Sequence, residues 1–381
     1  MRDVPDVLII GDTMRVPELR HEVPLGIGDP FLYAEKDGGR YVFASSLEMP
    51  RLRELDGLET IPNEEVGQDE FLRQGMPRDQ IMLELAVRSC RRIELSDALV
   101  PRFFPLAFAD RLRSEGIKLT PDRDFFNARR RVKSPAELDG IRRAQKAAEA
   151  GMAAAGELLG RASANGGGLE VDGEPLTSEW IKAVIGSVFV ANGCASDEFI
   201  VSHGAQTAIG HEGGHGQIQP NEPIVIDLWP RDTESACYAD MTRTFVVGEP
   251  SHELQEWQRL CRLALDEAIA KIRPGVKGVE IFRGTCELFE EHGYPTQLTK
   301  EPGTVLDEGF FHGLGHGVGL DVHEDPNLGI AGDYELVAGD VITVEPGLYR
   351  PGIGGCRLED LVLVTDDGAE NLTVFPYDLA P

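Results

Sequence analysis

"EPIVIDLWPRDTESACYADMTRTFVVG" runs from Glu222 to Gly248, and its reading decides the fold. "PIVIDLW" and "YADMTRTFVV" have strand composition, and "PRDTES" between them has turn chemistry. The segment therefore predicts an antiparallel hairpin. Asp227 closes the Ile224-Val225-Ile226 run and Asp240 stands near the start of the second strand, so the hairpin can bring the two close. A carboxylate after three β-branched residues is costly to bury unless a cation or hydrogen-bond donors compensate it. On this segment alone, an Asp227 that ends its strand at the surface is the lesser but open alternative.

Working outward, the same oddity recurs. Glu345 follows the apolar strand "VITV", and Pro346 biases it towards an extended backbone. Glu359 sits in "CRLEDLVLVT". Four acids, at 227, 240, 345 and 359, are thus expected inside strands, where propensity disfavours them. Between the two pairs lies "FFHGLGHGVGLDVHEDP", Phe310 to Pro326, with His312, His316 and His323 among glycines. It has no H-E-x-x-H pattern, and its glycines oppose a stable helix. A histidine in such a loop is more often a bystander than a ligand. Four carboxylates with an imidazole nevertheless make a hard, oxygen-rich donor set, suited to two divalent ions such as manganese, cobalt or zinc. Two adjacent ions can hold a bridging hydroxide as nucleophile and stabilise a tetrahedral intermediate, which implies hydrolysis of a polarised carbonyl.

The remainder of the chain sets the frame. At 381 residues it has room for two domains. The formal charge of −28 argues against a nucleic-acid partner, which needs clustered Lys and Arg. "VLII" is too short for a signal peptide, and no apolar run reaches membrane-helix length, so no membrane partner is expected. The six cysteines are scattered without a CxxC pair, which fits reduced thiols in a cytoplasmic protein. Residues 1–130 alternate short strands and helices, with "DVLIIGD" and "RYVFASS" as strands and "AFADRLRSEG" as a helix closed by Gly116. A new domain starts near "NARRRVKSPAELDGIRRAQKAAE", where Ser134, Pro135 and Glu137 predict a capped helix start. "SANGGGLEVDGEP" reads as a flexible connection, and a further helix is expected from about 252 to 273.

These residues resemble the pita-bread metallopeptidases, in the branch of Xaa-Pro aminopeptidase (aminopeptidase P) and prolidase. "IDLW", "ADMTRTF", "GHGVGLDVHE", "TVEPGLY" and "RLED" match that family's five metal-ligand motifs in order. The resemblance implies Asp227, Asp240, His316, Glu345 and Glu359 as ligands of two divalent ions, manganese first and cobalt or zinc as alternatives, with Asp240 and Glu359 bridging. "SHGAQTAIGHE" resembles the segment that carries a substrate histidine, which places His211 there. His323 would meet the scissile carbonyl or developing oxyanion, and His312 would line the proline side. Arg357 would support Glu359, and Glu345 could exchange a proton with the bridging water. His203, His215, His252 and His292 fall on no motif and keep a structural reading.

The fold class implied is α+β: a C-terminal pita-bread (creatinase/aminopeptidase-like) catalytic domain over 131–381, behind an N-terminal α/β domain of creatinase/prolidase type over 1–130. The activity implied is hydrolysis of the Xaa-Pro bond at the N-terminus of small proline-containing peptides, typically in a homodimer whose N-terminal domains restrict access. An aminopeptidase acting on longer peptides is placed first, with an Xaa-Pro dipeptidase as the alternative. A catalytically inactive pita-bread peptide-binding protein is the alternative of another class, but such proteins generally lose ligands. The intact ligand set likewise counts against a creatinase-like amidinohydrolase. Three departures stand out. Leu228-Trp229 replaces the usual x-Gly after the first aspartate, the Asp227 to Asp240 gap is longer than in most relatives, and Gly210 stands where proline normally precedes the substrate histidine.

Overall fold

The computed structural model describes residues 5–332 and 334–381. Its contacts divide into two compact units, Met1–Arg130 and Arg131–Pro381. The first unit is built on one six-stranded sheet, in the order Glu59–Pro62, Gly39–Ala44, Phe31–Lys36, Val7–Gly11, Asp97–Val100, Lys118–Pro121. The central pairs are antiparallel and the outer ones parallel. Alternation along "VLII" explains how both faces are covered: Leu8 and Ile10 join a cluster with Ile81, Leu85 and Leu112, whereas Val7 and Ile9 pack with Leu19 and Val23.

The second unit opens where the capping box lies. Ser134 Oγ accepts from the Glu137 N–H (3.2 Å), and the Glu137 carboxylate accepts from the Ser134 N–H (2.8 Å). The helix Pro135–Gly160 that follows packs on a second helix, Ser178–Ala191, and the pair backs a three-stranded antiparallel sheet of Ile200–His203, Ile224–Leu228 and Met241–Phe245. A second pair, His252–Lys271 and Gly278–Glu291, backs a five-stranded sheet in the order Glu324–Leu328, Gly315–Gly317, Val341–Val344, Asp360–Val364, Ala369–Asn371. Trp257, Phe282, Phe289 and Phe310 fill the space between that pair and its strands. Among the described residues no helix is long and apolar enough to cross a membrane.

Two expectations need correction. "SANGGGLEVDGEP" is not a flexible connection but a three-stranded meander of Ser163–Asn165, Gly168–Val171 and Glu174–Pro175. Leu169 and Val171 are fully buried there, and the Leu169 N–H bonds to the Ile218 carbonyl (2.8 Å), so alternate side chains anchor a segment whose glycines suggested freedom. The four acids are also not all inside strands. Only Asp227 is; Asp240 precedes Met241–Phe245, Glu345 follows Val341–Val344, and Glu359 lies between Gly354–Arg357 and Asp360–Val364. At a strand end the side chain keeps the face set by the ladder while the ladder itself is free to stop.

That parity positions the site. Ile224, Ile226, Leu228, Met241 and Phe245 turn to the helices. Asp227 pairs with Thr242, which shares its face, and Asp240 is two residues from Thr242 on the same parity. In the other sheet, the register from Val341↔Leu363 to Val344↔Asp360, continued one step, sets Glu345 opposite Glu359. The sheets meet at one bridge, Thr242↔Glu359, where the Glu359 N–H donates to the Thr242 carbonyl (3.0 Å). Replacing the cap, Ser134→Ala, should lower the unfolding free energy of the second unit by about 1 kcal/mol, read as a shifted urea midpoint at unchanged slope.

Candidate metal centre

Ligand atoms of Asp240, His316 and Glu359 lie within 4.8 Å of one another. His316 Nε2 is 3.8 Å from Asp240 Oδ2 and 3.6 Å from Glu345 Oε1. The neighbouring backbone fixes that ring: Nδ1 faces the Gly317 carbonyl at 3.1 Å and so carries the hydrogen, leaving Nε2 bare. Burial, then the nearby His323, lowers the His316 pKa to about 3, so the ring is the neutral form a cation requires. Its strand, Gly315–Gly317, lies close against Val341–Val344. A Cβ on Gly315 would sit 2.0 Å from the Thr343 carbonyl oxygen, so glycine is required for the His316 backbone to come this near.

Asp227 enters through Arg357. The guanidinium Nη2 donates to Asp227 Oδ2 at 2.6 Å, both side chains being nearly buried. The other oxygen, Asp227 Oδ1, is buried without a hydrogen-bond partner. Thr242 Oγ1 donates to Glu359 Oε2 at 2.7 Å. Burial, then repulsion by Glu359, Asp227 and Glu345, pushes the Asp240 carboxyl well above the usual range. Glu359 is pushed up by burial and by Asp227 and Glu345. Glu345 rises to about 8, through burial and the Asp227 charge, against the opposing pull of Arg357. Four carboxylates share one dry volume with a single guanidinium, and an orphan oxygen faces into the protein. Divalent cations are the natural complement of that donor set. Asp227, Asp240, His316, Glu345 and Glu359 fit the group on these grounds.

The remaining histidines divide by what their nitrogens do. His312 Nδ1 is 2.7 Å from the Gly313 carbonyl and Nε2 is 2.9 Å from the Tyr349 hydroxyl, so both nitrogens are spent inside the fold. Burial and the Arg357 charge lower its pKa to about 3 and keep it neutral. Nδ1 therefore donates to the carbonyl, and the Tyr349 O–H donates to Nε2. Tyr349 in turn accepts from Arg357 Nη1 at 3.0 Å. What His312 offers a ligand is the ring, in a cluster with Phe310 (4.9 Å), Phe311 (5.9 Å) and Tyr349 (5.4 Å). His211 and His323, by contrast, are open to solvent. His323 has its ring 4.2 Å from that of His316, and its pKa is lowered by partial burial and by His211.

Arg357 was expected to support Glu359; it reaches that carboxylate through Thr242, whose hydroxyl accepts from Arg357 Nε (3.3 Å), while the carboxylate it bonds directly is Asp227. Tyr349 and Thr242 carry no role in the sequence reading. An even spacing from Glu345 to Tyr349 and from Asp240 to Thr242 was the available signal, since it places each pair on one side of an extended chain. The long hairpin tip is held rather than loose. Arg143, on the helix Pro135–Gly160, grips Asp232 with two bonds (3.0 and 2.8 Å), and Asp232 Oδ2 accepts from the Ser235 N–H (2.7 Å). The strand pairing of Asp227 with Thr242 is continuous despite the added length.

The sequence pattern of metallopeptidase family M24 matches residues 139–366. The chain is 31% identical over 285 residues to a probable dipeptidase PepE of Mycobacterium tuberculosis, spanning 74% of this chain and 68% of the relative. It is 35% identical over 189 residues to an Xaa-Pro dipeptidase of Pyrococcus furiosus, spanning 48% of this chain and 49% of that one. Among solved structures, the prolidase from Pyrococcus horikoshii OT3 superposes with a TM-score of 0.77 at 24% identity, over 99% of this chain and 95% of that one. The pita-bread architecture with an N-terminal α/β domain is therefore the fold of this chain.

Two outcomes follow from the site's electrostatics. A carboxyl raised by folding keeps its proton in the native state after the unfolded chain has lost it, so stability falls as pH rises through that window. Above about pH 6.5 the buried neutral histidines oppose this only slightly, because the unfolded rings lose their remaining charge within about one pH unit. The metal-free protein should therefore melt lower at about pH 8.5 than at about pH 6.5, and divalent metal should restore most at the higher pH; a flat profile contradicts the like-charged cluster. Arg357→Gln should weaken metal binding or turnover by about 10- to 100-fold, measured by calorimetric metal titration.

Proposed function

The chain belongs to metallopeptidase family M24, and within that family we propose that it removes the N-terminal residue preceding proline from small peptides, using two divalent cations. The observation that carries this reading is the buried meeting of Asp240, His316 and Glu359, with Glu345 beside them and the unpartnered Asp227 Oδ1. Asp227, Asp240, His316, Glu345 and Glu359 would hold the ions, manganese first on the hardness of the oxygen donors, cobalt or zinc as alternatives. Bound there, they would polarise the scissile carbonyl and make an attacking water acidic enough to react near neutral pH.

The chain's own groups would do the rest. Glu345, pushed up towards neutral pH, would take a proton at a carboxylate oxygen and return it to the leaving nitrogen. His211 and His323, both open to solvent and the second with its ring 4.2 Å from that of His316, would donate to the substrate carbonyl and to the oxyanion that develops from it. Arg357 would keep Asp227 ionised and oriented while Tyr349 fixes the His312 tautomer. The selectivity for proline would come from the Phe310, Phe311, His312 and Tyr349 rings. A pyrrolidine ring is apolar and its amide nitrogen bears no hydrogen, so it needs a wall and no acceptor. With both His312 nitrogens spent internally, such a wall is what the cluster offers.

A second reading concerns length. The sequence places peptides longer than two residues first, whereas the names of the M. tuberculosis and P. furiosus relatives favour dipeptides. A binding protein without catalysis finds no support in an intact donor set. A homodimer in the cytoplasm belongs to the same proposal, supported for the compartment by six buried free thiols. With added manganese, wild type should cleave an Xaa-Pro-Yaa tripeptide, an Xaa-Pro dipeptide, or both, and Asp240→Ala neither. A folded, metal-loaded protein that cuts no peptide before proline defeats the reading, and full activity in Asp240→Ala defeats the two-metal mechanism.

A further inference from the structure

Outside the metal centre one buried histidine has partners that constrain its charge. His203 ends the strand Ile200–His203 and is 8% exposed. Its Nδ1 lies 2.6 Å from Glu222 Oε1 and its Nε2 lies 3.0 Å from the His215 carbonyl. A carboxylate and a carbonyl only accept, and a neutral imidazole has one N–H. The neutral ring leaves one of the two contacts as lone pair against lone pair, so only the imidazolium satisfies both.

We propose that His203 is a positioning residue, held as an imidazolium between Glu222 and the His215 carbonyl, that fixes the 204–216 loop and through it His211 at the substrate. The inference rests on the reading that His211 contacts the peptide. The loop leaves the strand at His203 and returns to it. The Val201 N–H donates to the Gly213 carbonyl (3.0 Å), and Gly214 comes so near that a Cβ there would stand 1.8 Å from the Val201 oxygen. The His215 carbonyl that His203 holds also accepts from Gln206 Nε2 (2.9 Å), whose Oε1 accepts from the His215 N–H (3.1 Å). Glu222 Oε1 also accepts from the Gln219 N–H (2.6 Å), so one carboxylate ties His203 to the chain beyond the loop. Both ends of the loop therefore converge on one ring, and His211 stands in the middle, exposed, with no strand or helix of its own.

The charged groups around His203 come from three directions. Glu222 precedes the Asp227 strand. Glu179 and Lys182 come from the helix Ser178–Ala191, where Glu179 accepts from the Gly216 N–H (3.1 Å) and Lys182 Nζ donates to the Gly214 carbonyl (3.0 Å). Glu212 and His215 belong to the loop, with His215 Nδ1 3.6 Å from Glu212 Oε1. Burial disfavours the cation, yet Glu222, the His215 carbonyl and Glu179 outweigh it and raise the His203 pKa above its usual value. The sign follows: the tie is complete below that raised value and is lost as pH rises through it.

The test pairs a structural readout with a kinetic one, on the full-length metal-loaded protein. Amide hydrogen exchange of residues 204–216, corrected for intrinsic rates, and KM and kcat for a cleaved Xaa-Pro peptide are followed against pH in wild type, Glu222→Gln and His203→Gln. In wild type, protection of the loop should fall and KM should rise about tenfold through one transition, the worth of a charge-assisted hydrogen bond, while kcat holds. Glu222→Gln should move both transitions down by about one pH unit or more. His203→Gln, which can donate from only one nitrogen, should show the high KM at every pH. A loop equally protected at all pH values in folded wild type, or transitions unmoved in Glu222→Gln, overturns the proposal. If no peptide is cleaved at all, the functional reading fails, and the exchange profile alone still upholds or overturns the tie.

Discussion

Four carboxylates held together out of water, with one arginine among them, are the constraint around which the second unit is organised. Each alone would avoid burial, and their mutual repulsion adds to the cost. The fold meets that cost with fixed partners rather than solvent. Arg357 takes one oxygen of Asp227, Thr242 bonds one oxygen of Glu359, and the remaining oxygens converge where a divalent cation is the available complement. The two helix pairs and their cores supply the apolar burial that keeps this arrangement closed.

The seam between the sheets carries a second function. Thr242 and Glu359 are joined by a backbone bond and a side-chain bond, and the neighbouring Arg243 donates to the Glu359 carbonyl (2.8 Å) and to Asp360 (2.9 Å), so the sheet that bears Asp227 is fastened to the sheet that leads to Glu345 and Glu359. Arg357 spans the same seam to reach Asp227, and Tyr349 passes its influence on to His312. Asp227, Arg357, Tyr349 and His312 thereby belong to one hydrogen-bonded chain, which joins an aspartate of the proposed metal centre to the ring cluster around His312.

The exposed histidines are held differently. His211 and His323 lie on irregular, solvent-open segments, where position depends on ties outside the ladder. His203 with Glu222 provides such a tie for the first. Lys133, in a nearly buried ion pair with Glu324, lies beside the second. Strands and their ends hold the charges, and tied loops carry the histidines proposed to meet peptide.

Much of this was legible in the chain itself. Apolar periodicity, the Ser134 capping box and the hairpin turn chemistry specify local structure through interactions between near neighbours, so the helices beginning at 135 and 252 and the paired strands around Asp227 and Asp240 could be placed without coordinates. The ordered run of "IDLW", "ADMTRTF", "GHGVGLDVHE", "TVEPGLY" and "RLED" identified the family for the same reason, because each motif is local. What stayed hidden depends on contacts between distant segments. The meander at 163–175 exists because Leu169 and Val171 find a core supplied by other elements. The direct bond of Arg357 to Asp227 beside its link to Glu359 through Thr242, the spending of both His312 nitrogens, and the double acceptor environment of His203 are set by partners 8 to 130 residues away, or by a carbonyl whose direction only the fold fixes. Sequence determined which residues are candidates for the chemistry; tertiary structure decided which atom of each is bonded and which is left open, since a hydrogen bond is settled by direction and distance and neither is written in the order of residues.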